Sequence, residues 1–221
     1  MGEVGWLVAW NNPIALERVL ELLELLELKP GDAVLDLGCG SGELLGALGP
    51  RGIEGCGVDV DEEALEQARA RWPALDWVSE DASSFHATNS PRLAICMGST
   101  HAFGRGEQAL TGACERIQEL LRPGGWALIG EAFQRQPLPA AYAELLGEPS
   151  GIERTHLQNV QTIEAAGLDC RAAVIATDPE WEAFEWAFYR RRGNRLWRDA
   201  WLQHGRHTMG FAAYLARLSP G

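Results

Sequence analysis

The sequence predicts an α/β fold in which a parallel sheet lies between layers of helices. Three observations carry that reading. Short apolar runs alternate with helical patterns between residues 33 and 131. The runs are apolar at successive positions, so both faces of each strand are buried, as in a sheet covered on both sides. The first run, "VLDLGCGSGELL", breaks into glycines at positions 38, 40 and 42. Glycines in such a turn let the backbone take positive φ and approach a ligand closely.

Each element follows in order. Asn12-Pro13 opens the first helix, since Asn caps and Pro suits the first turn. From Ile14 to Leu28 leucines fill most of the circumference, Glu17, Glu21 and Glu24 mark one polar stripe, and Lys29-Pro30-Gly31 stops the helix. Strands are expected at Ala33–Leu37, Gly55–Val60, Leu75–Ser79, Arg92–Met97 and Trp126–Glu131. Helices fall between them at Gly42–Leu48, Glu62–Arg71 and Glu107–Leu121. The second of these carries acids in its first turn, where the helix dipole favours them. Beyond Glu131 the rhythm falters. Residues 134–154, rich in Pro, Gly and Ala, read as an irregular insert with a short helix near Ala140–Leu146. Thr155–Ala166 returns to helix and Leu168–Ala176 to strand. Asp178-Pro179 opens a helical stretch with Trp181, Phe184, Trp186, Trp197 and Trp201. The last segment, "TMGFAAYLARL", is helix or strand by pattern alone. No linker is long enough to divide the chain, so residues 1–221 are expected to form one domain with an N-terminal helical segment over 1–30.

Composition narrows the function. Apolar residues make up 46% of the chain, enough for a sizeable core and too many for a disordered one. No apolar run approaches the roughly 20 residues of a membrane span. The N-terminal "MGEVGWLVAWNNP" lacks the marks of a signal peptide, and Trp6 stands where a myristoylation motif needs Ser or Thr. The cysteines are odd in number and form no CxxC pair, so buried thiols in a reducing, cytoplasmic setting are expected. A net charge of −12 makes a nucleic-acid partner improbable, because phosphate contacts need a basic surface.

The glycine spacing separates two kinds of nucleotide turn. In a dinucleotide G-x-G-x-x-G turn the third glycine would fall on Glu43 or Leu45, and neither fits. The pattern is instead Asp36-x-Gly38-x-Gly40-x-Gly42. It resembles the turn of class I S-adenosylmethionine (SAM) methyltransferases, closely over residues 30–132. The resemblance implies SAM as cofactor. It implies that Asp36 orients the glycines and meets the SAM ammonium, that Asp59 binds the ribose with Val60 against the adenine, and that Asp81 and Ala82 sit near the adenine amino group. Cys39 and Cys96 join that expected cofactor set. Beyond residue 132 the chain is similar to small bacterial methyltransferases loosely related to the ubiquinone and menaquinone C-methyltransferases, where segments like "GSTHAFG" and "GEAF" recur. That likeness implies a Rossmann-like, seven-stranded, mostly parallel sheet with helices on both faces. Its antiparallel last strand would be His207–Leu218, and the N-terminal segment with inserts at 134–154 and 178–206 would cover the substrate side.

Methyl transfer is an in-line displacement with a neutral leaving group, so the enzyme mainly aligns the reactants and removes water. The acceptor is expected against the segments after the fourth and fifth strands, with Ser99, Thr100, His101 and Phe133 touching it. His101 suits a general base by residue type; its other reading is a loop histidine that bonds the substrate or caps the backbone. Glu131 could hold a cationic acceptor or bond to the neighbouring loop. His204 and His207 lie three apart without a third ligand, so no metal site is expected. Arg190, Arg191, Arg192, Arg195 and Arg198 beside the tryptophans read as a solvated face or as a clasp for an anionic substrate. A small-molecule acceptor is the first expectation. A macromolecular acceptor and a non-catalytic SAM-binding regulator are the alternatives.

Overall fold

The computed structural model describes residues 10–146 and 154–219. The start of the N-terminal segment (1–9) and the end of the first insert (147–153) lie outside the described residues.

Seven strands form one sheet: β1 (Ala33–Leu37), β2 (Glu54–Asp59), β3 (Asp76–Ser79), β4 (Leu93–Met97), β5 (Trp126–Gln134), β6 (Leu168–Ile175) and β7 (Met209–Leu218). Their order is β3-β2-β1-β4-β5-β7-β6. Strands β1 to β5 pair in parallel, and β7 runs antiparallel to both β5 and β6. The order reverses between β1 and β4, which opens a crevice beyond their carboxyl ends.

The helices are α1 (Leu16–Leu23), α2 (Glu43–Leu48), α3 (Glu62–Arg71), α4 (Glu107–Leu120), α5 (Ala140–Leu146), α6 (His156–Ala165), α7 (Asp178–Arg192) and α8 (Arg195–Ala200). Successive strand residues feed two cores. Val34, Leu93 and Ile95 pack with α1, α2, α3 and Trp181 of α7. Leu35, Leu37, Ala94 and Cys96 pack with Leu110, Cys114 and Ile117 of α4 and Ile163 of α6. A strand with a core on each side has no polar face to show, which is why its sequence reads as a continuous apolar run.

Four boundaries differ from expectation by two residues or more. The first helix starts at Leu16, because Asn12 Oδ1 accepts the Ile14 N–H at 3.0 Å in a tight turn of its own. The cap position is Ala15, whose N–H goes to Glu180 Oε1 at 3.0 Å. The helix also ends early, passing through a 3₁₀ turn at Glu24–Leu26 to Glu27 at φ 46°. Strand β5 runs on to Gln134 because β7 pairs with it through Met209. Helical structure continues past 206, through a π-helical turn at Trp201–Gly205 and a last turn at Arg206–Thr208, so β7 begins at Met209 rather than His207. Helices α6 and α7 open with full capping boxes, Thr155 with Gln158 and Thr177 with Glu180.

Candidate cofactor and acceptor site

The glycine turn after β1 is built on positive φ: Gly38 at 78°, Gly40 at 52° and Gly42 at 76°. Packing demands two of the three glycines. A Cβ on Gly38 would stand 2.3 Å from Ser99 Cβ, and one on Gly42 would stand 2.3 Å from the Trp77 ring. Gly40 faces open space, so its backbone is bare toward the crevice. The turn hangs on β2, with Gly38 N–H and Cys39 N–H both donating to Val58 O, at 2.8 and 3.1 Å.

Asp59, at the tip of β2, completes that attachment. Its Oδ2 accepts the Gly40 N–H at 2.7 Å and its Oδ1 the Asp61 N–H at 2.9 Å. Asp59 thus does for Gly40 what was expected of Asp36. Asp36 is instead buried at 4% exposure, and that burial, with the charge of Asp59 second, pushes its carboxyl up to about 7. Asp81 is the opposite case: the hydroxyl and the backbone N–H of Ser83 both donate to its Oδ1 and hold its carboxyl below the usual range.

These groups share a crevice of about 430 Å³. Of the residues expected to hold the cofactor, Asp36, Gly38, Cys39, Gly40, Asp59, Val60, Asp81 and Ala82 line it. Gly42 supports the turn from behind against Trp77. Cys96 lies elsewhere: it is fully buried in the core under α4, with its Sγ 3.3 Å from Ser99 Oγ. Ser99 does line the crevice, while its hydroxyl donates to Leu37 O at 2.6 Å, tying the segment after β4 to the end of β1. His101 also lines it and is exposed.

Two acceptor-side expectations are corrected. Thr100 is buried, and its hydroxyl turns toward Glu131. For Glu131 this is the bond to the neighbouring loop that was one of its two expected roles; burial raises its carboxyl, its Oε1 accepts the Ala132 N–H at 3.2 Å, and its buried Oε2 has no hydrogen-bond partner. Phe133 packs in the α4/α6 core beside the His156 ring, centroids 5.0 Å apart. Glu131 and Phe133 are two apart on one strand and so share a face, the one turned to that core.

Several further residues line the crevice. Ser41, Glu43 and Leu44 continue the glycine turn into α2, so adjacency to the motif was a usable signal, whereas Met97, Gly98 and Ala102 lie in the segment after β4 that was expected to face the acceptor. Trp10, Asn11 and Asn12 belong to the N-terminal segment expected to roof the acceptor, though no motif singled them out. They are brought there by α7. Glu180 Oε1 accepts the Ala15 N–H, Glu180 Oε2 pairs with Arg18 Nη1 at 2.5 Å, and Arg191 Nη2 donates to Asn11 Oδ1 at 2.9 Å. Of the remaining arginines in that stretch, Arg190, Arg192 and Arg195 are exposed, and Arg198 lies over the Tyr189 ring. His204 packs on the Tyr142 ring.

A sheet that reverses order at a glycine turn, with one antiparallel strand inserted near its edge, defines the class I SAM-dependent methyltransferases, and the comparisons with known proteins agree. The methyltransferase-domain family matches residues 34–125. The uncharacterized protein YjhP of Escherichia coli is 32% identical over 193 residues, covering 82% of this chain and 76% of that protein. Its X-ray structure superposes with a TM-score of 0.81 at 27% identity, over 95% of each chain. A SAM-dependent methyltransferase from Geobacter sulfurreducens, crystallised with S-adenosylhomocysteine, gives a TM-score of 0.78 at 26% identity over 94% and 92% of the two chains. Trans-aconitate 2-methyltransferase of Rhizobium rhizogenes is 27% identical over 175 residues, 66% of this chain and 68% of that protein. The chain belongs to the SAM-dependent methyltransferase family, and SAM is its cofactor.

Proposed function

We propose that the protein methylates a small-molecule acceptor held between the segment after β4 and the N-terminal residues Trp10–Asn12. The observation that carries this reading is the cover: the crevice continues past the glycine turn to Met97, Gly98 and His101 and ends under Trp10, Asn11 and Asn12. A crevice of about 430 Å³ suits a small ligand better than a strand of nucleic acid or a protein surface. The chain's −12 charge argues the same way against nucleic acid. Among the described residues no helix is long and apolar enough to cross a membrane.

In this reading the open backbone at Gly38–Gly40 and the carboxylates of Asp36, Asp59 and Asp81 hold SAM. Bound there, SAM supplies an electrophilic methyl on a sulfonium that leaves as a neutral thioether. The chain's own part is to align the acceptor, exclude water beneath Trp10–Asn12, and take a proton from the acceptor where one must leave. We assign that last task to His101, which lines the crevice. The protein works as one domain, with residues 10–15 and the α7–α8 region as its cover.

The test is transfer of labelled methyl from SAM into a fractionated cell extract. Label is expected in the small-molecule fraction and to require the protein. Label confined to protein or nucleic acid overturns the reading.

A further inference from the structure

We infer that the acceptor is an uncharged or cationic small molecule and that the crevice turns away carboxylates and phosphates, an inference that rests on the small-molecule reading above. Four carboxylates line the crevice, Asp36, Glu43, Asp59 and Asp81, and among the described residues no lysine or arginine does. The stretches outside the described residues, 1–9, 147–153 and 220–221, contain neither lysine nor arginine in sequence, so all 19 such side chains lie in described segments. Two guanidiniums bond lining residues without lining the crevice themselves, and each is engaged there. Arg71 pairs with Glu43 and lies over the Trp72 ring, and Arg191 donates to Asn11 Oδ1.

The side facing an acceptor is uncharged apart from one imidazole. Trp10, Asn11, Asn12, Met97, His101 and Ala102 offer an indole, two amides, a thioether, the imidazole and a methyl. Bound SAM carries one net positive charge, fewer than the negative charges around it. A carboxylate entering this space meets like charge with no fork of donors to receive it, whereas enzymes that take carboxylates and phosphates present arginine or lysine. An amine or an alcohol meets no such penalty, and the carboxylates attract a protonated amine into the crevice. For an amine the step balances simply. The neutral nitrogen forms the new bond to the methyl carbon, the sulfur–carbon pair stays on sulfur, and the nitrogen's proton leaves to His101 or to water.

The experiment uses the full chain saturated with S-adenosylhomocysteine. Benzylamine, benzyl alcohol and benzoate, one ring with three charges, are titrated and followed by ligand-observed NMR. The amine and the alcohol are expected to bind roughly tenfold or more tightly than benzoate. Benzoate binding as well as either one overturns the inference and leaves the small-molecule reading standing. If none of the three binds and labelled methyl enters only macromolecules, the small-molecule reading falls and this inference with it. Failure of S-adenosylhomocysteine itself to bind is a third, separate result that removes the cofactor site. A charge variant gives the converse. Ala102→Lys, at an exposed lining position, is expected to raise benzoate affinity roughly tenfold. An unchanged affinity in that variant overturns the inference.

Discussion

The backbone N–H of Gly40 donates a 2.7 Å hydrogen bond to Asp59 Oδ2, so the tip of β2 holds the one glycine of the turn that faces open space. Asp59 thus shapes the crevice before any ligand arrives. Asp59→Ala is expected to weaken S-adenosylhomocysteine binding by roughly ten- to a hundredfold, the range for loss of a hydrogen bond to a charged group. Asp59→Asn keeps the acceptor oxygen and should lose less. Calorimetric titration of both variants checks this, and an unchanged affinity in the alanine variant removes Asp59 from the site.

The three glycines should rank by their surroundings. All have positive φ, so each alanine variant bears a backbone cost of about 1 kcal/mol or more. Gly38→Ala adds a collision with the Ser99 side chain, and Gly42→Ala one with the Trp77 ring, while Gly40→Ala adds none. Thermal melts are expected to show the smallest loss for Gly40→Ala. A larger fall there than at Gly38 would contradict the packing.

Asp36 imposes a pH dependence whose sign follows from its raised carboxyl. From an ordinary value of 3.8 it is pushed to about 7 by burial, so the folded protein binds its proton more tightly than the unfolded chain does. Its contribution to stability is full below about pH 4 and is lost as pH rises toward 7. Asp36→Asn removes that loss. The variant's melting temperature should gain on the wild type between pH 4 and 7, by an amount that linkage puts on the order of a few kcal/mol. Parallel melting curves across that window would show that the carboxyl is not perturbed.

His101 lines the crevice without being buried. If the acceptor loses a proton during transfer, His101→Ala is expected to lower kcat by roughly a hundredfold and leave S-adenosylhomocysteine affinity within about twofold. Equal kcat in the two proteins assigns His101 to contact rather than to proton transfer.

Glu180 does two jobs at once. It completes the capping box of α7 with Thr177, and it receives Ala15 N–H and Arg18. Glu180→Ala should therefore destabilise by about 1–3 kcal/mol and raise the acceptor KM, because the cover over the crevice loosens. Arg18→Ala removes a partly exposed ion pair and an exposed hydrogen bond to Ile175 O and should cost less, about 1 kcal/mol. Denaturant melts of the two variants compare these directly.

Much of this was legible in the sequence because it is local. Strand β1 and helix α3 stand where their patterns place them, since a buried strand and a helix with acids in its first turn are written in neighbouring residues. The crevice residues from Asp36 to Gly40, and Asp59 with Asp81, follow from motif spacing along strands whose tips the topology aligns. Errors came where one strand has two faces. Phe133 was read toward the acceptor, yet it packs in the α4/α6 core, and Glu131 on the same face meets the loop at Thr100, the second of its two expected roles; alternation alone does not say which face is which.

By its own local order, then, the sequence determined a glycine turn for a methyl-donating cofactor, set in a parallel α/β sheet. It left open whether "TMGFAAYLARL" is strand or helix, because a segment buried on every side shows no period. Only pairing with β5 on one side and β6 on the other made it β7. The tertiary structure also decided how the crevice is covered. The N-terminal segment and the helices after 178 were expected over it, but the bonds that fix them there, Ala15 N–H to Glu180 and Arg191 to Asn11, join residues far apart in the chain and leave no trace in any one stretch of sequence.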